Sequence, residues 1–255
     1  MNDETREQYA RTRLLLGQDG LDRLRQARVA VFGVGGVGGY VVEALARSGV
    51  GALDLIDDDK VCLSNLNRQI IATRSTLGMY KVDAAVARVR DIDPEIVVRT
   101  YKTFYTPETA DQFDFTQYSY VVDAIDTVTG KLSLVMQAKA AGVPIICSMG
   151  AGNKLDPSRF EVADLYETSV CPLARVMRAE CRKRGVDHLK VVYSKEPPLA
   201  PIAEETTEET APAGAPARPG TPKKQAPGSV AFVPSAAGLV LAGEVIRDLS
   251  GFSQK

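Results

Sequence analysis

The sequence is poor in the features that mark zinc-binding, membrane-spanning or secreted proteins. Its four cysteines, at positions 62, 147, 171 and 181, form no C-x-x-C pair. A structural zinc site is therefore not expected, and so few thiols suit a reducing cytoplasm. No apolar run reaches the roughly eighteen residues of a membrane helix, and residues 1–13 are charged, which argues against a secretory signal. We expect a cytoplasmic protein that has no membrane contact.

Histidine and net charge are also scarce. His188 is the only histidine, and a single histidine ahead of a strand is more often structural than catalytic. The net charge is −1, so any nucleic-acid contact must come from a local basic patch. At 255 residues with 45% hydrophobic content, the chain can form one well-cored α/β domain, with or without an appendage.

Apolar β-rich runs alternate with helical patterns along the chain. After a helical lead-in over residues 1–27, the predicted strands are 28–32, 52–56, 96–101, 118–124 and 144–147, and the predicted helices are 40–48, 77–92 and 128–141. This alternation predicts an α/β fold with a Rossmann-like, doubly wound, mainly parallel sheet. In the C-terminal half, the predicted strands 160–164 and 189–193 and the predicted helices 172–184 and 236–249 indicate an antiparallel extension of the sheet.

Residues 196–228 differ in composition from the rest of the chain. Eight of the fourteen prolines fall there, with clusters of Glu and Thr and almost no large apolar residue. Such a segment cannot bury enough surface to offset its ordering entropy. Because apolar residues return at 230–233, we expect a mobile loop inside a single domain that spans residues 1–255.

A glycine-rich turn directly follows the first predicted strand. Gly33, Gly35 and Gly38 fit the pattern G-x-G-x-x-G, and Gly36 is an additional glycine. Such a turn lets the backbone approach phosphates and directs N–H groups at them. Taken alone, the motif favours a nicotinamide or flavin dinucleotide site, in which Asp57 at the end of the second strand would hold a ribose.

A second polar cluster favours a triphosphate ligand instead. Residues 57–69 read DDDKVCLSNLNRQ, in which Asn65 and Arg68 can grip phosphate oxygens. Lys81 follows near the start of a predicted helix. Asp126 follows the fourth strand, at the sheet edge where ligands bind and where a carboxylate can hold Mg²⁺. The structural alternatives are that Arg68 caps a helix or pairs with the first aspartate of the stretch, and that Lys81 is a solvated helix residue.

Together these motifs resemble those of the ThiF-like superfamily of ubiquitin-like-protein activating enzymes, over residues 11–155. The resemblance implies binding of ATP and Mg²⁺, attack of a substrate carboxylate on the α-phosphate, and release of pyrophosphate. The nucleotide-binding residues that it implies are the loop glycines, Asp57 at the ribose with Asp59 beside it, Asn65, Arg68 and Lys81 at the phosphates, and Asp126 at the metal. It also implies a homodimer in which Arg13 reaches the partner subunit's ATP.

The second half of the chain indicates which members of the superfamily the sequence resembles most. Sulfur-carrier activating members usually carry two C-x-x-C pairs for zinc, and this chain has none. Residues 150–185 and 228–249 are instead similar to the tRNA threonylcarbamoyladenosine dehydratases. That resemblance implies adenylation of the threonyl carboxylate of a modified adenosine in tRNA, followed by ring closure and loss of AMP.

Three rival functions remain open at this stage. They are an activating enzyme for a ubiquitin-like or sulfur-carrier protein, an idle nucleotide-binding adaptor, and a nicotinamide dehydrogenase. Any sulfur- or electron-transfer partner is likewise left open.

Two further features have competing interpretations. Cys171 precedes Pro172 at a predicted helix start, where the pKa of a thiol tends to fall. It could form a thioester, but a substrate that cyclises on itself needs no enzyme nucleophile, which favours a buried or capping thiol. Arg175, Arg178 and Arg182 share one helix face. They could contact tRNA phosphates, although a charged helix face is usually just solvated.

Overall fold

The computed structural model of the protein describes residues 7–202 and 227–252. In this part of the chain, seven strands form one sheet in the order β3-β2-β1-β4-β5-β7-β6. The strands are β1 Arg28–Phe32, β2 Ala52–Ile56, β3 Val97–Tyr101, β4 Tyr120–Asp123, β5 Ile145–Ser148, β6 Phe160–Asp164 and β7 Lys190–Ser194. All neighbouring strands pair in parallel except β6, which pairs antiparallel with β7. The predicted doubly wound sheet with an antiparallel extension is thus confirmed.

The longer helices of the described residues cover both faces of the sheet. They are α1 Ala10–Gln26, α2 Gly38–Arg47, α3 Lys81–Ile92, α4 Val128–Ala141, α5 Pro172–Lys183 and α6 Phe232–Ser250. α1 consists of two helical segments, because Gly17 interrupts it with φ of +70°. None of these helices combines the length and the apolar character needed to cross a membrane.

The core has two layers because alternate strand residues face opposite sides of the sheet. Val29 and Val31 of β1 belong to a cluster with residues of α1, α2, α3 and α6. Ala30 and Phe32 belong to a second cluster, in which aromatic residues between positions 105 and 118 pack with α4. The Phe32 ring contacts the rings of Tyr105, Phe113 and Phe115. This aromatic layer holds the central strand and therefore the loop that follows it.

Two helices start four residues away from the position predicted from the sequence. The helix predicted over 77–92 begins at Lys81, because Tyr80 forms a bridge with Lys60 in extended conformation. The helix predicted over 236–249 begins earlier, at Phe232, and includes Pro234. Proline is tolerated there because the first turn of a helix has no N–H partner to lose. Of the predicted loop 196–228, residues 203–226 lie outside the described residues.

Candidate active site

The carboxyl ends of three parallel neighbouring strands bring the predicted nucleotide-binding residues to one edge of the sheet. β1 lies between β2 and β4. The glycine loop follows β1, the three aspartates at 57–59 follow β2, and Asp126 follows β4. This edge is where doubly wound sheets bind ligands, so the structure confirms that these segments are neighbours.

The glycine loop is compact on one side and open on the other. Gly33 has φ of +90°, and a Cβ there would lie 2.7 Å from the carbonyl oxygen of Ala124. A Cβ on Gly38 would lie 1.8 Å from the carbonyl oxygen of Gly33, so both positions require glycine. A Cβ on Gly35 would meet only the side-chain nitrogen of Gln69, at 3.9 Å. The open side lies at the start of α2, where backbone N–H groups can bind an anion.

Asp57 connects the end of β2 to the glycine loop. Its Oδ2 accepts a hydrogen bond from the N–H of Val34 at 2.7 Å, and its Oδ1 accepts one from the N–H of Asp59 at 2.9 Å. Burial raises the pKa of the Asp57 carboxyl, while the charge of Lys81 and the two N–H donors oppose that rise. Each oxygen keeps a second lone pair, so the carboxylate can still accept a ribose hydroxyl.

Lys81 is the first residue of α3 and is not a solvated helix residue. Its side chain is only 7% exposed, and its Nζ lies 2.7 Å from Asp59 Oδ2 and 3.7 Å from Asp57 Oδ1. The structure therefore excludes the alternative that Lys81 is a solvated helix residue without a specific partner. An ammonium held at the β2 end beside the glycine loop is available to a phosphate that displaces Asp59 from it.

Arg68 and Asn65 belong to a tight turn that faces the glycine loop. The Cγ of Arg68 lies 3.6 Å from the position of a Cβ on Gly36. The Nη1 of Arg68 donates to the carbonyl oxygen of Ser64 at 2.8 Å and to Asn67 Oδ1 at 3.0 Å. Asn65 is buried, and its Oδ1 accepts the N–H of Cys62 at 3.2 Å. Both side chains stabilise their own turn, and Arg68 pairs with this turn and not with Asp57.

Gln69 is a candidate that the sequence analysis missed. It is 6% exposed, and its Oε1 is a buried side-chain atom of the described residues that has no hydrogen-bond partner. Buried polar groups are nearly always paired, so an orphaned one calls for an explanation. The side-chain nitrogen of Gln69 lies beside the open side of Gly35, which places this residue next to the glycine loop. The only sequence signal was its place directly after Arg68.

The two aspartates of the D-x-x-D motif have different environments. Asp123 is fully buried and pairs with Lys131, whose Nζ lies 3.0 and 3.1 Å from its two oxygens. The same Nζ donates to the carbonyl oxygen of Ser148 at 2.7 Å, and so joins the ends of β4 and β5. Burial raises the pKa of the Asp123 carboxyl, against the charge of Lys131. Asp126, by contrast, is exposed, and it has no hydrogen bond or ion pair with the other described residues.

The exposed carboxylate of Asp126 fits the oxygen ligand that Mg²⁺ prefers. The carboxylates of Asp57, Asp58 and Asp59 also come within 4.8 Å of one another. However, two of them face the ammonium of Lys81, whose charge disfavours a second cation. The assignment of a metal to Asp126 remains a prediction, and an exposed carboxylate is a suitable ligand for Mg²⁺.

Lys131 should be essential for stability because its removal leaves a buried carboxylate without a counter-ion. We expect Lys131→Met to lower the free energy of unfolding by about 3–5 kcal/mol, as breaking a buried pair does. Urea unfolding at neutral pH measures the loss. Lys139→Met is the matched control on the same helix, since Lys139 pairs with the exposed Asp187 and should contribute about 1 kcal/mol or less. Equal losses in both variants would contradict the assignment.

The remaining predicted residues form no hydrogen bond or ion pair with the glycine loop. Arg13 is exposed on α1, and the next two residues, Leu14 and Leu15, are 84% and 78% exposed. No hydrogen bond or ion pair connects the Arg13 side chain to another described residue. The structure thus does not place Arg13 at this chain's own nucleotide site through any such contact.

The predicted arginine stripe on α5 is only partly available to a nucleic acid. Arg178 is half-buried and donates to the carbonyl oxygen and Oγ1 of Thr168. Arg182 stacks over the ring of Tyr166 at 5.4 Å, and Arg175 is exposed. Arg178 therefore serves the loop before α5, while Arg175 and Arg182 remain on the surface.

Cys171 and His188 both have structural surroundings. Cys171 is 2% exposed directly before α5, so its thiol is buried. His188 is exposed and pairs through Nδ1 with Asp164. Neither the burial of Cys171 nor the pairing of His188 with Asp164 connects these side chains to the glycine loop.

Comparison with known proteins gives matches along nearly the whole chain. The ThiF family model matches residues 8–255. The tRNA threonylcarbamoyladenosine dehydratase of Bacillus subtilis is 45% identical over 243 residues, which are 95% of this chain and 94% of that protein. The crystal structure of the Escherichia coli tRNA N6-threonylcarbamoyladenosine dehydratase in complex with ATP has a TM-score of 0.84 and 31% identity, and covers 98% of this chain and 96% of that one. The AMP complex of the same enzyme has a TM-score of 0.83, with the same coverage.

Proposed function

The chain belongs to the ThiF family, and from this premise we propose that it is an ATP-dependent dehydratase acting on N6-threonylcarbamoyladenosine in tRNA. The observation that carries the proposal is the near full-length similarity to a dehydratase of that name. The crystal structures of the Escherichia coli enzyme of the same name with ATP and with AMP agree with an adenylating reaction. The glycine loop and the aspartates at the ends of β2 and β4 supply the corresponding surface in this chain.

The reaction has two steps, and neither step requires a covalent bond between the substrate and a side chain of the protein. The threonyl carboxylate attacks the α-phosphate, and the bond to pyrophosphate breaks. The carbamoyl oxygen then attacks the activated carbonyl, a nitrogen proton is lost, and AMP leaves with one carboxylate oxygen. The net change is removal of one water from the nucleoside, driven by cleavage of ATP. No enzyme thioester is needed, which agrees with the burial of Cys171.

The task of the protein in this reaction is positioning and charge neutralisation. We assign the loop N–H groups to the phosphates and Asp57 to the ribose. Arg68 and Lys81 offset phosphate charge, and Lys81 exchanges its contact with Asp59 for one with phosphate. Asp126 would hold Mg²⁺, which when bound adds positive charge at the phosphates.

The proposal includes an assembly and a location. A homodimer places Arg13 on the partner subunit's ATP, and the exposed Leu14 and Leu15 beside it suit such an interface. Arg175 and Arg182 are the candidates for tRNA phosphate contact. We place the reaction in the cytoplasm, which agrees with the four free cysteines of the chain.

The rival functions have less support. An activating enzyme for a sulfur-carrier protein usually has the two C-x-x-C pairs that this sequence lacks. A nicotinamide dehydrogenase has no use for the buried Lys81 between two aspartates. An idle adaptor would not need the exposed Asp126 beside an open glycine loop.

The direct test is dehydration of a defined tRNA. Purified protein is incubated with ATP, Mg²⁺ and tRNA that carries threonylcarbamoyladenosine, and the nucleosides are weighed after digestion. We expect a nucleoside lighter by one water, with one AMP and one pyrophosphate formed per product. The matched control is the same tRNA without the threonylcarbamoyl group, which should yield neither. Formation of AMP only with a ubiquitin-like protein would overturn the proposal.

A further inference from the structure

A small cavity lies between the loop after β5 and the start of α5. Its volume is about 220 Å³, and its lining includes Gly150, Gly152, Lys154, Cys171 and Leu173. Pockets for drug-sized ligands measure roughly 300–1,000 Å³, so this one suits a single small group. The mechanism above assigns it no role.

The sheet places this cavity next to the end of β4. β4 and β5 are adjacent, with Asp123 opposite Cys147. Asp126 and Gly150 each lie three residues beyond that pair, so the two loops leave the sheet side by side. In doubly wound sheets, ligands bind across the point where the strand order reverses. In this sheet that point lies between β1 and β4, so one part of the ligand lies over β1 and β2 and the other over β4 and β5. Because Asp57 marks the ribose side at β2, the acyl substrate must approach from the β4–β5 side.

The cavity contains the buried ammonium of Lys154, which forms no ion pair with the residues that the structure describes. Lys154 is 4% exposed, and its Nζ donates to the backbone carbonyl of Glu196. The carboxylate of Glu196 is used elsewhere, since it accepts the N–H groups of Leu155 and Asp156, both at 2.9 Å. No carboxylate of residues 7–202 or 227–252 forms an ion pair with Lys154. An ammonium has three donors, so two of them remain for a ligand.

Lys154 differs from the other two lysines that are buried in the described part of the chain. Lys81 and Lys131 both lie within ion-pair distance of aspartates. Burial lowers the pKa of the Lys154 ammonium, and the nearby Cys171 and Glu196 side chains oppose this shift only in part. A bound anion would stabilise the charged form further, because it would supply a negative charge in direct contact with the ammonium.

We propose that this cavity receives the threonylcarbamoyl group of the substrate, with the Lys154 ammonium as the counter-ion of its carboxylate. The proposal rests on the proposed function and specifies where the reacting group is held. The contact exists before adenylation begins, so it contributes to substrate binding. The wall of the cavity requires glycine at position 152, since a Cβ there would lie 2.7 Å from the Cβ of Pro227.

The test compares two substrates on two proteins. The native protein should bind tRNA carrying the threonylcarbamoyl group more tightly than the same tRNA without it. Lys154→Gln should lose about 10- to 100-fold of this preference and raise KM for the modified tRNA by the same factor, as expected for a charge-assisted hydrogen bond. ATP affinity by calorimetry and affinity for the unmodified tRNA should stay unchanged. Lys139→Gln, a surface variant, should behave as the native protein does.

A folded Lys154→Gln variant that keeps the full preference for modified tRNA overturns the proposal. If that variant does not fold, the native protein decides the question with two free nucleosides, threonylcarbamoyladenosine and its carboxamide. Tighter binding of the acid supports the proposal, and equal binding refutes it. Failure of the dehydratase function itself is recognised separately, because the native protein would then form no dehydrated nucleoside.

Discussion

Asp126→Asn should reduce turnover by about a thousandfold or more while leaving the fold and its stability intact. The carboxylate is exposed and has no partner among the described residues, so its loss removes no structural contact. An amide cannot supply the negative charge that holds a metal ion. Metal stabilisation of the transition state contributes several kcal/mol, and each roughly 1.4 kcal/mol is tenfold in rate. Single-turnover formation of AMP at increasing Mg²⁺ measures the effect.

The matched control for this experiment is Asp123→Asn, three residues earlier. Asp123 is fully buried against Lys131, so its variant should lose stability, in contrast to Asp126→Asn. Thermal unfolding of both variants separates the two roles. Near-normal activity of Asp126→Asn at saturating Mg²⁺ would show that the metal is not held there.

Arg13→Ala and Lys81→Ala homodimers should each be nearly inactive, and mixing them should restore activity. In phosphoryl transfer, an arginine supplied in trans contributes roughly 10³–10⁵ in rate, and we expect the lower end for adenylation. In the proposed dimer each site combines Lys81 of one protomer with Arg13 of its partner. Random exchange makes half of the dimers mixed, each with one complete site, so the mixture should reach roughly a quarter of native activity.

Subunit exchange has to be established by mass spectrometry of differently tagged protomers. Arg11→Ala is the matched control, since Arg11 is also exposed on α1 and is not assigned to the nucleotide. Its homodimer should be fully active. If mixing under proven exchange restores nothing, Arg13 does not act across the interface.

Several elements were predictable because local patterns and their flanking residues agree. β1, β2 and β6 have the predicted bounds, as does α4, which ends before Gly142 in the left-handed conformation. The ends of other elements depend on contacts between residues far apart in the chain, and these ends could not be predicted from the sequence. α3 begins four residues later than predicted because Tyr80 pairs with Lys60, a contact that no local periodicity reveals.

The sequence by itself determined the nucleotide-binding edge. A glycine pattern and carboxylates placed after consecutive apolar strands must meet at the carboxyl ends of a parallel sheet, whatever the packing around them. The resemblance to a known family could be stated for the same reason, since its motifs are local in the chain.

Only the tertiary structure decided which of the charged residues are available to a ligand. Lys81 and Lys154 are the same residue type, yet the first is buried beside two aspartates and the second lines a cavity and forms no ion pair with the described part of the chain. Asp123 and Asp126 share a motif, yet only the second is exposed. The free energy of a charge depends on its burial and its partners, and both are set by chain segments that are far apart in sequence.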